Sequence, residues 1–307
     1  MLEAATPTLL ADPAAVTEIV TSWKEKPTQM VSQQTQRDAI YVMGRTDRET
    51  RRLELQGALF NGWTRQLFER VGIGPGMKVL DVGSGSGAVA RIAAELVGER
   101  GSVVSIDVNP VILETARAQA TAVGVRNVSF IAGDIREIAL PDDFDAVVGR
   151  YILMYVGNPE ETLRVAASHV RPGGIVAFEE RDWTLLPRAV PPSPLLERGQ
   201  RWWFELVRRA GVEREMGFKL RGAFLEAGLP EPRLHLDGLI GGGPEWAGYA
   251  YLAETWRSIL PMLLRYGIAT EEEVDVDTFE RRFRDEVTAQ NGVVMLSTDV
   301  CGWARTA

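Results

Sequence analysis

The run Val79-Leu80-Asp81-Val82-Gly83-Ser84-Gly85-Ser86-Gly87 sets three glycines at alternate positions directly after an apolar stretch. Glycine at that spacing lets the backbone turn tightly and lets a ligand approach the main chain closer than a Cβ permits. Two acids follow where the same ligand could use them. Asp107 ends the next apolar run, about twenty residues on, where a carboxylate can accept both hydroxyls of a ribose. Asp134, in Gly133-Asp134-Ile135, ends the third run and could receive the exocyclic amine of an adenine. Taken singly, each has a plainer reading: a tight turn, a helix N-cap, a turn acid. Gly83-x-Gly85-x-x-Ala88 also satisfies the dinucleotide fingerprint, so the loop alone leaves a nicotinamide cofactor open. Together the three stand at the carboxyl ends of successive strands and converge on one crevice.

A second cluster, Glu179-Glu180-Arg181-Asp182, closes an apolar run with ionisable groups. Strand alternation sends Glu180 and Asp182 to one side, Glu179 and Arg181 to the other. The pair facing the crevice could take a proton from a bound molecule or orient it. Glu180 and Asp182 are the candidates, Glu180 first because it lies nearer the strand, with Arg150 to supply positive charge. The plainer reading is a salt-bridge cluster at a strand end.

These residues need a frame, and the periodicities supply one. Leu53, Gln56, Leu59, Phe60, Trp63, Leu67 and Phe68 recur at three and four, an amphipathic helix that Gly72, Gly74, Pro75 and Gly76 end. Strands are expected at 78–82, 102–107, 128–132, 144–148 and 175–179, with helices at 88–97, 111–123 and 158–170. Alternation of strand and helix implies a parallel sheet covered on both faces. Beyond Arg181 the rhythm is lost. Pro187, Pro191, Pro192 and Pro194 mark a loop, then helices are expected at 195–210, 218–227, 246–266 and 277–290. Two β-like runs, 233–240 and 293–297, sit among them. Three regions follow: an arm or lid over 1–46, a nucleotide-binding core over 47–182, and a helical cap with the last two strands over 183–307.

Composition narrows the function. Of 307 residues, 45% are hydrophobic and 25% charged, as in a soluble globular protein. A net charge of -8 without a long Lys/Arg run offers no stripe for nucleic-acid phosphates. No apolar stretch is long enough to span a membrane, and the first residues lack a secretory pattern. The single cysteine, Cys301, fits a reducing cytoplasm. With that cysteine and only His169 and His235, no thiolate or imidazole metal site is expected. A magnesium ion on carboxylates alone stays open.

The glycine run and the two acids resemble class I S-adenosylmethionine-dependent methyltransferases, over about residues 53–182. Asp81, Gly83, Gly85 and Gly87 match the family's acid-x-Gly-x-Gly-x-Gly motif. Asp107 matches its ribose acid, Asp134 its adenine acid, and Arg171-Pro172-Gly173-Gly174 its turn before the fifth strand. The resemblance implies a Rossmann-like seven-stranded sheet, mostly parallel, with helices on both faces; the N-terminal arm and the helices expected between the last two strands depart from a minimal member. It implies S-adenosylmethionine held by Asp81, Gly83, Ser84, Gly85, Asp107, Val108, Gly133, Asp134, Ile135 and Arg150. After the fourth strand, Gly149-Arg150-Tyr151-Ile152 lacks the Asn/Asp-Pro-Pro-Tyr of enzymes that methylate DNA bases or glutamine amides. A small, largely apolar or aromatic acceptor is therefore expected, methylated on O, N or C, as by bacterial enzymes of secondary metabolism. Trp202, Trp203, Phe204, Trp246, Tyr249, Tyr251 and Trp256 could roof it, with Tyr41, Gln56 and Trp63 on the other side. Core packing is the plainer role of each aromatic. The partner expected is that small molecule, with neither nucleic acid nor membrane, and a homodimer is allowed. Two alternatives stay open: an NAD-dependent oxidoreductase, though no Tyr-x-x-x-Lys pair is available, and a relative that binds the cofactor without transferring methyl.

Overall fold

Residues 175–178 show how the centre of the molecule is made. Ile175 and Ala177 enter one apolar cluster, Val176 and Phe178 the other. Val79 and Leu80 divide in the same way, as do Ala146 and Val147. Strands that are apolar on both faces belong inside a parallel sheet covered by helices. The computed structural model, which describes residues 47–185 and 187–307, has that sheet. The expectations for residues 1–46, including Tyr41, lie outside the described residues.

Strands β1 (Lys78–Val82), β2 (Ser102–Asp107), β3 (Val128–Ala132), β4 (Phe144–Arg150) and β5 (Val170–Asp182) run parallel in the order β3-β2-β1-β4-β5. Antiparallel to β5 lies β8 (Val293–Arg305), and β7 (Arg233–Gly241) pairs antiparallel to β8. The sheet has eight strands rather than the seven expected. The extra one, β6 (Arg188–Val190), falls in the proline-rich stretch that reads as loop. It pairs with residues 293–295 of β8 just beyond the stretch that β5 occupies, 298–305. Because β7 spans 294–303 on the opposite edge, β6 continues the line of β5.

Helix α1 (Asp47–Val71) brings Leu67 and Phe68, and α2 (Ala88–Val97) brings Val89 and Ala93, to one face of the sheet. Helix α3 (Pro110–Ala122) packs against β2 and β3. The larger cluster gathers Leu163 of α4 (Pro159–Ser168), Leu206 of α5 (Pro194–Ala210) and Phe224 of α6 (Met216–Glu226). It also takes Ile259 of α7 (Gly248–Arg265) and Phe283 of α9 (Val276–Thr288), with the short α8 (Glu271–Val274) between those two. Each fully buried Leu or Phe of this kind contributes about 1.5–3 kcal/mol. Three helices start alike: Asn109, Asn158 and Ser193 cap α3, α4 and α5, each followed by proline at the first helical position. That proline needs no N–H bond there, and the cap side chain satisfies a donor that the helix leaves open.

Candidate active site

The glycine run leaves β1 and turns back at once. Gly83 and Ser84 donate their N–H groups to Ile106 O of β2 at 2.9 and 2.8 Å. Gly83 takes φ +82°, and a Cβ there would meet Ile152 at 3.0 Å. Gly85 takes φ +51°, and a Cβ there would meet nothing within 4 Å. The loop therefore presents bare backbone to open space. Asp107 fixes it: one carboxylate oxygen accepts from Gly85 N and the other from Asn109 N, both at 2.9 Å. Each oxygen keeps a further lone pair.

Beside this loop lies a cavity of about 360 Å³. Gly83, Ser84, Gly85, Asp107, Val108, Gly133, Asp134, Ile135 and Arg150 all line it. Asp81 does not. It is fully buried under the loop, accepting from the Ser105 hydroxyl at 2.6 Å. Burial pushes its carboxyl up to about 7, against that hydrogen bond. Asp81, expected among the residues that hold the cofactor, instead turns its side chain to Ser105 of β2 and supports the loop's first strand. Asp134 is on the wall, with both carboxylate oxygens paired to the Arg136 guanidinium, which holds its pKa below the usual range.

Glu180 and Asp182 do not line the cavity either. Glu180 accepts from the backbone N–H groups of Ile152, Leu153 and Met154 at 3.0, 2.9 and 3.3 Å. Burial pushes its carboxyl up to about 8 in spite of these three donors. Asp182 accepts from Thr184 N at 2.9 Å and from Phe218 N at 3.0 Å. Their side of β5 ties down the β4 exit turn and the start of α6, so both candidates are corrected to structural anchors. The other side brings Arg181 to the cavity. Arg181 lines the cavity, donates to Asp299 at 2.9 Å, to the Tyr151 hydroxyl at 2.7 Å and to the Tyr251 hydroxyl at 3.1 Å. Its guanidinium also lies 4.7 Å from the Phe60 ring centre and 4.5 Å from that of Tyr151. Arg150, on the wall, donates to Thr64 Oγ1 at 2.8 Å, and Thr64 donates to Glu179 at 2.7 Å.

Tyr151 and Asp299 were not legible as site residues. Tyr151 sits at φ 58°, uncommon for a bulky side chain, and its hydroxyl is bonded to Asp299. Asp299 faces Arg181 across the β5–β8 pair; the one sequence signal was an acid two residues past a β-like stretch. Of the expected aromatic roof, Trp203, Phe204, Tyr251 and Trp256 line the cavity, as does Gln56. Trp202 packs on Trp256, Tyr249 on Phe283 and Trp246, and Trp63 on Phe60. The cavity thus has a glycine-and-acid end at β1 and β2, and an aromatic end with one buried cation at β5.

Residues 73–202 match the model of the methyltransferase domain family. The ubiquinone/menaquinone biosynthesis C-methyltransferase UbiE of Ectopseudomonas mendocina is 34% identical to this chain over 146 residues, 47% of this chain and 54% of that protein. UbiE of Pseudomonas fluorescens is 34% identical over 140 residues, 44% and 55% of the two. The chain spans about half the length of these curated relatives. In fold, the domain and its flanking helices resemble the YcgJ protein of Bacillus subtilis, at a TM-score of 0.51 and 17% identity, covering 80% of this chain and 98% of that one. A Bacillus halodurans structure gives 0.51 and 20%, covering 79% and 97%. Among the described residues, no helix is long and apolar enough to cross a membrane. Nor do three or more His, Cys, Asp or Glu side chains gather there in metal-binding reach.

Proposed function

We propose that the chain is an S-adenosylmethionine-dependent methyltransferase acting on a small, largely apolar or aromatic molecule. The observation that carries this reading is the two-ended cavity on a methyltransferase domain. The residues fit the cofactor: backbone without a Cβ at Gly85, free lone pairs on Asp107, and a buried Ser84 hydroxyl without a partner among the described residues. Gly83, Ser84 and Gly85 would hold the methionyl end, Asp107 and Val108 the ribose, and Gly133, Asp134 and Ile135 the adenine. Arg150 stands between the two ends. When bound, the cofactor supplies a methyl group on a sulfonium, open to in-line displacement.

The chain's own part is alignment and exclusion of water. The rigid exits of β1, β2 and β4 hold one partner, while α5 and α7 bring Trp203, Phe204, Tyr251 and Trp256 over the other. On this reading residues 47–182 carry the cofactor and 183–307 close the acceptor side. A small ring-bearing acceptor is supported by that aromatic wall and by the relatives named for quinone biosynthesis. One buried, unpaired cysteine supports a cytoplasmic setting. The test is release of S-adenosylhomocysteine from S-adenosylmethionine against a panel of hydroxylated aromatics. Product that depends on acceptor is expected; hydride transfer to or from NAD without methyl transfer would overturn the reading.

A further inference from the structure

Glycine inside a helix is less favourable than alanine, so one that stands there calls for a packing reason. Gly199 lies buried within α5 on helical backbone, so no left-handed φ asks for glycine. Its neighbour does. A Cβ at 199 would stand 2.4 Å from Cζ2 of Trp256 and 3.1 Å from its Cε2 and Cη2. The benzo edge of that indole therefore rests in the space a side chain would fill. Trp202, three residues on along the same helix face, meets the Trp256 ring at 6.2 Å between centres and 87° between planes. Phe279 of α9 meets it at 6.0 Å. The Trp256 indole N–H finds no acceptor among the described residues, so packing seats the ring.

This ring is the back of the aromatic end of the cavity. Trp256 belongs to the wall with 3% of its surface open, beside Thr255 of α7 and Gln200 and Trp203 of α5. A methyl group at 199 would have to move the indole by roughly 1 Å to reach ordinary carbon–carbon contact. With Trp202 and Phe279 against the ring, the room it can move into among the described residues is the cavity. We infer that Gly199 is a specificity-determining residue of the methyl transfer: by carrying no side chain it lets Trp256 lie back against α5, and so fixes how large a planar acceptor the aromatic end admits. It is a positioning residue, standing behind the wall and acting through Trp256. This rests on the methyltransferase reading and deepens it, because the size limit on the acceptor is then set from outside the cavity. One methylene more or less in an apolar pocket separates ligands by roughly ten- to two-hundredfold.

Phenol and 2-naphthol, alike in their hydroxyl and different by one fused ring, read that room. Both are dialysed to equilibrium against the full chain with S-adenosylhomocysteine present, and the ratio of their affinities is compared. The wild-type protein is expected to bind both. In Gly199→Ala the ratio should shift against 2-naphthol by roughly tenfold, with S-adenosylhomocysteine affinity within about twofold of wild type. Trp256→Phe removes the benzo edge, so adding it to Gly199→Ala should return the ratio to within about threefold of wild type. A role confined to helix packing would change Tm and leave the ratio alone. If Gly199→Ala does not fold, Trp256→Phe by itself carries the test, since the room it opens should shift the ratio toward 2-naphthol by roughly threefold. An unchanged ratio in either folded single variant, a shift that the second substitution does not undo, or wild-type protein that binds neither probe overturns the inference. Calorimetry of S-adenosylhomocysteine in the same samples tells the two failures apart. Cofactor bound without the shift sinks this inference alone, and no cofactor binding sinks the proposed function with it.

Discussion

Glu180 shows how a charged residue near a site can serve the scaffold. Its carboxyl group accepts from three successive backbone N–H groups, those of Ile152, Leu153 and Met154, just past the end of β4. Glutamine would keep one oxygen for the first two and place an amide donor against Met154 N. A buried donor left unsatisfied costs about 1–3 kcal/mol, which at this chain size is a drop of roughly 2–5 °C in Tm. Glu180→Gln is therefore expected to melt lower while binding S-adenosylhomocysteine within about twofold of wild type. Thermal melts and calorimetry check it together. An unchanged Tm with lost methyl transfer would return Glu180 to the chemistry. The sequence placed this acid at the right sheet edge but on the wrong side. Alternation separates 180 and 182 from 179 and 181 without saying which pair meets the crevice. Only the packing of α1 and α7 on Arg181, through Phe60 and Tyr251, decides that.

Among the elements, those with a clean period were legible. The core strands β1 to β4, the amphipathic α1 and the proline-started α4 stand where their patterns put them. The strands that carry the site were read too short. β5 was expected to stop at Glu179 and β8 at Ser297, because charges usually end a strand; both run on, to Asp182 and Arg305. Arg181 pairs with Asp299 in register, so each cancels the charge the other brings into the sheet. The same strand ends carry a pH dependence. Asp81 at the end of β1 and Glu180 in β5 are raised from 3.8 to about 7 and from 4.5 to about 8, burial being the largest cause. Each holds its proton more tightly folded than unfolded. Their contribution is full below the unfolded values and is lost as pH rises through 7 and 8. Melting temperature should fall from about pH 4.5 to about pH 8, and Asp81→Asn should flatten that slope. A Tm that climbs across this window would contradict the burial of these carboxylates.

At the scale of the whole molecule, the two ends of one cavity come from different parts of the chain. The glycine loop, Asp107 and Asp134 lie within the matched domain, residues 73–202. Tyr251, Trp256 and Ser297 come from beyond it, carried back by α7 and β8. The cofactor end was therefore readable from a local motif, whereas the acceptor end needed the fold to bring distant residues together. The central claim is that this cavity holds S-adenosylmethionine through Asp107. Titration calorimetry of the full chain with S-adenosylmethionine, with NAD, and with each against Asp107→Ala tests it most directly. The account predicts one S-adenosylmethionine per chain and no comparable heat from NAD. The variant should bind roughly ten- to hundredfold more weakly, since hydrogen bonds to a charged group are worth about 1.5–3 kcal/mol. Tight NAD binding with none of S-adenosylmethionine, or S-adenosylmethionine affinity untouched in folded Asp107→Ala, would contradict it.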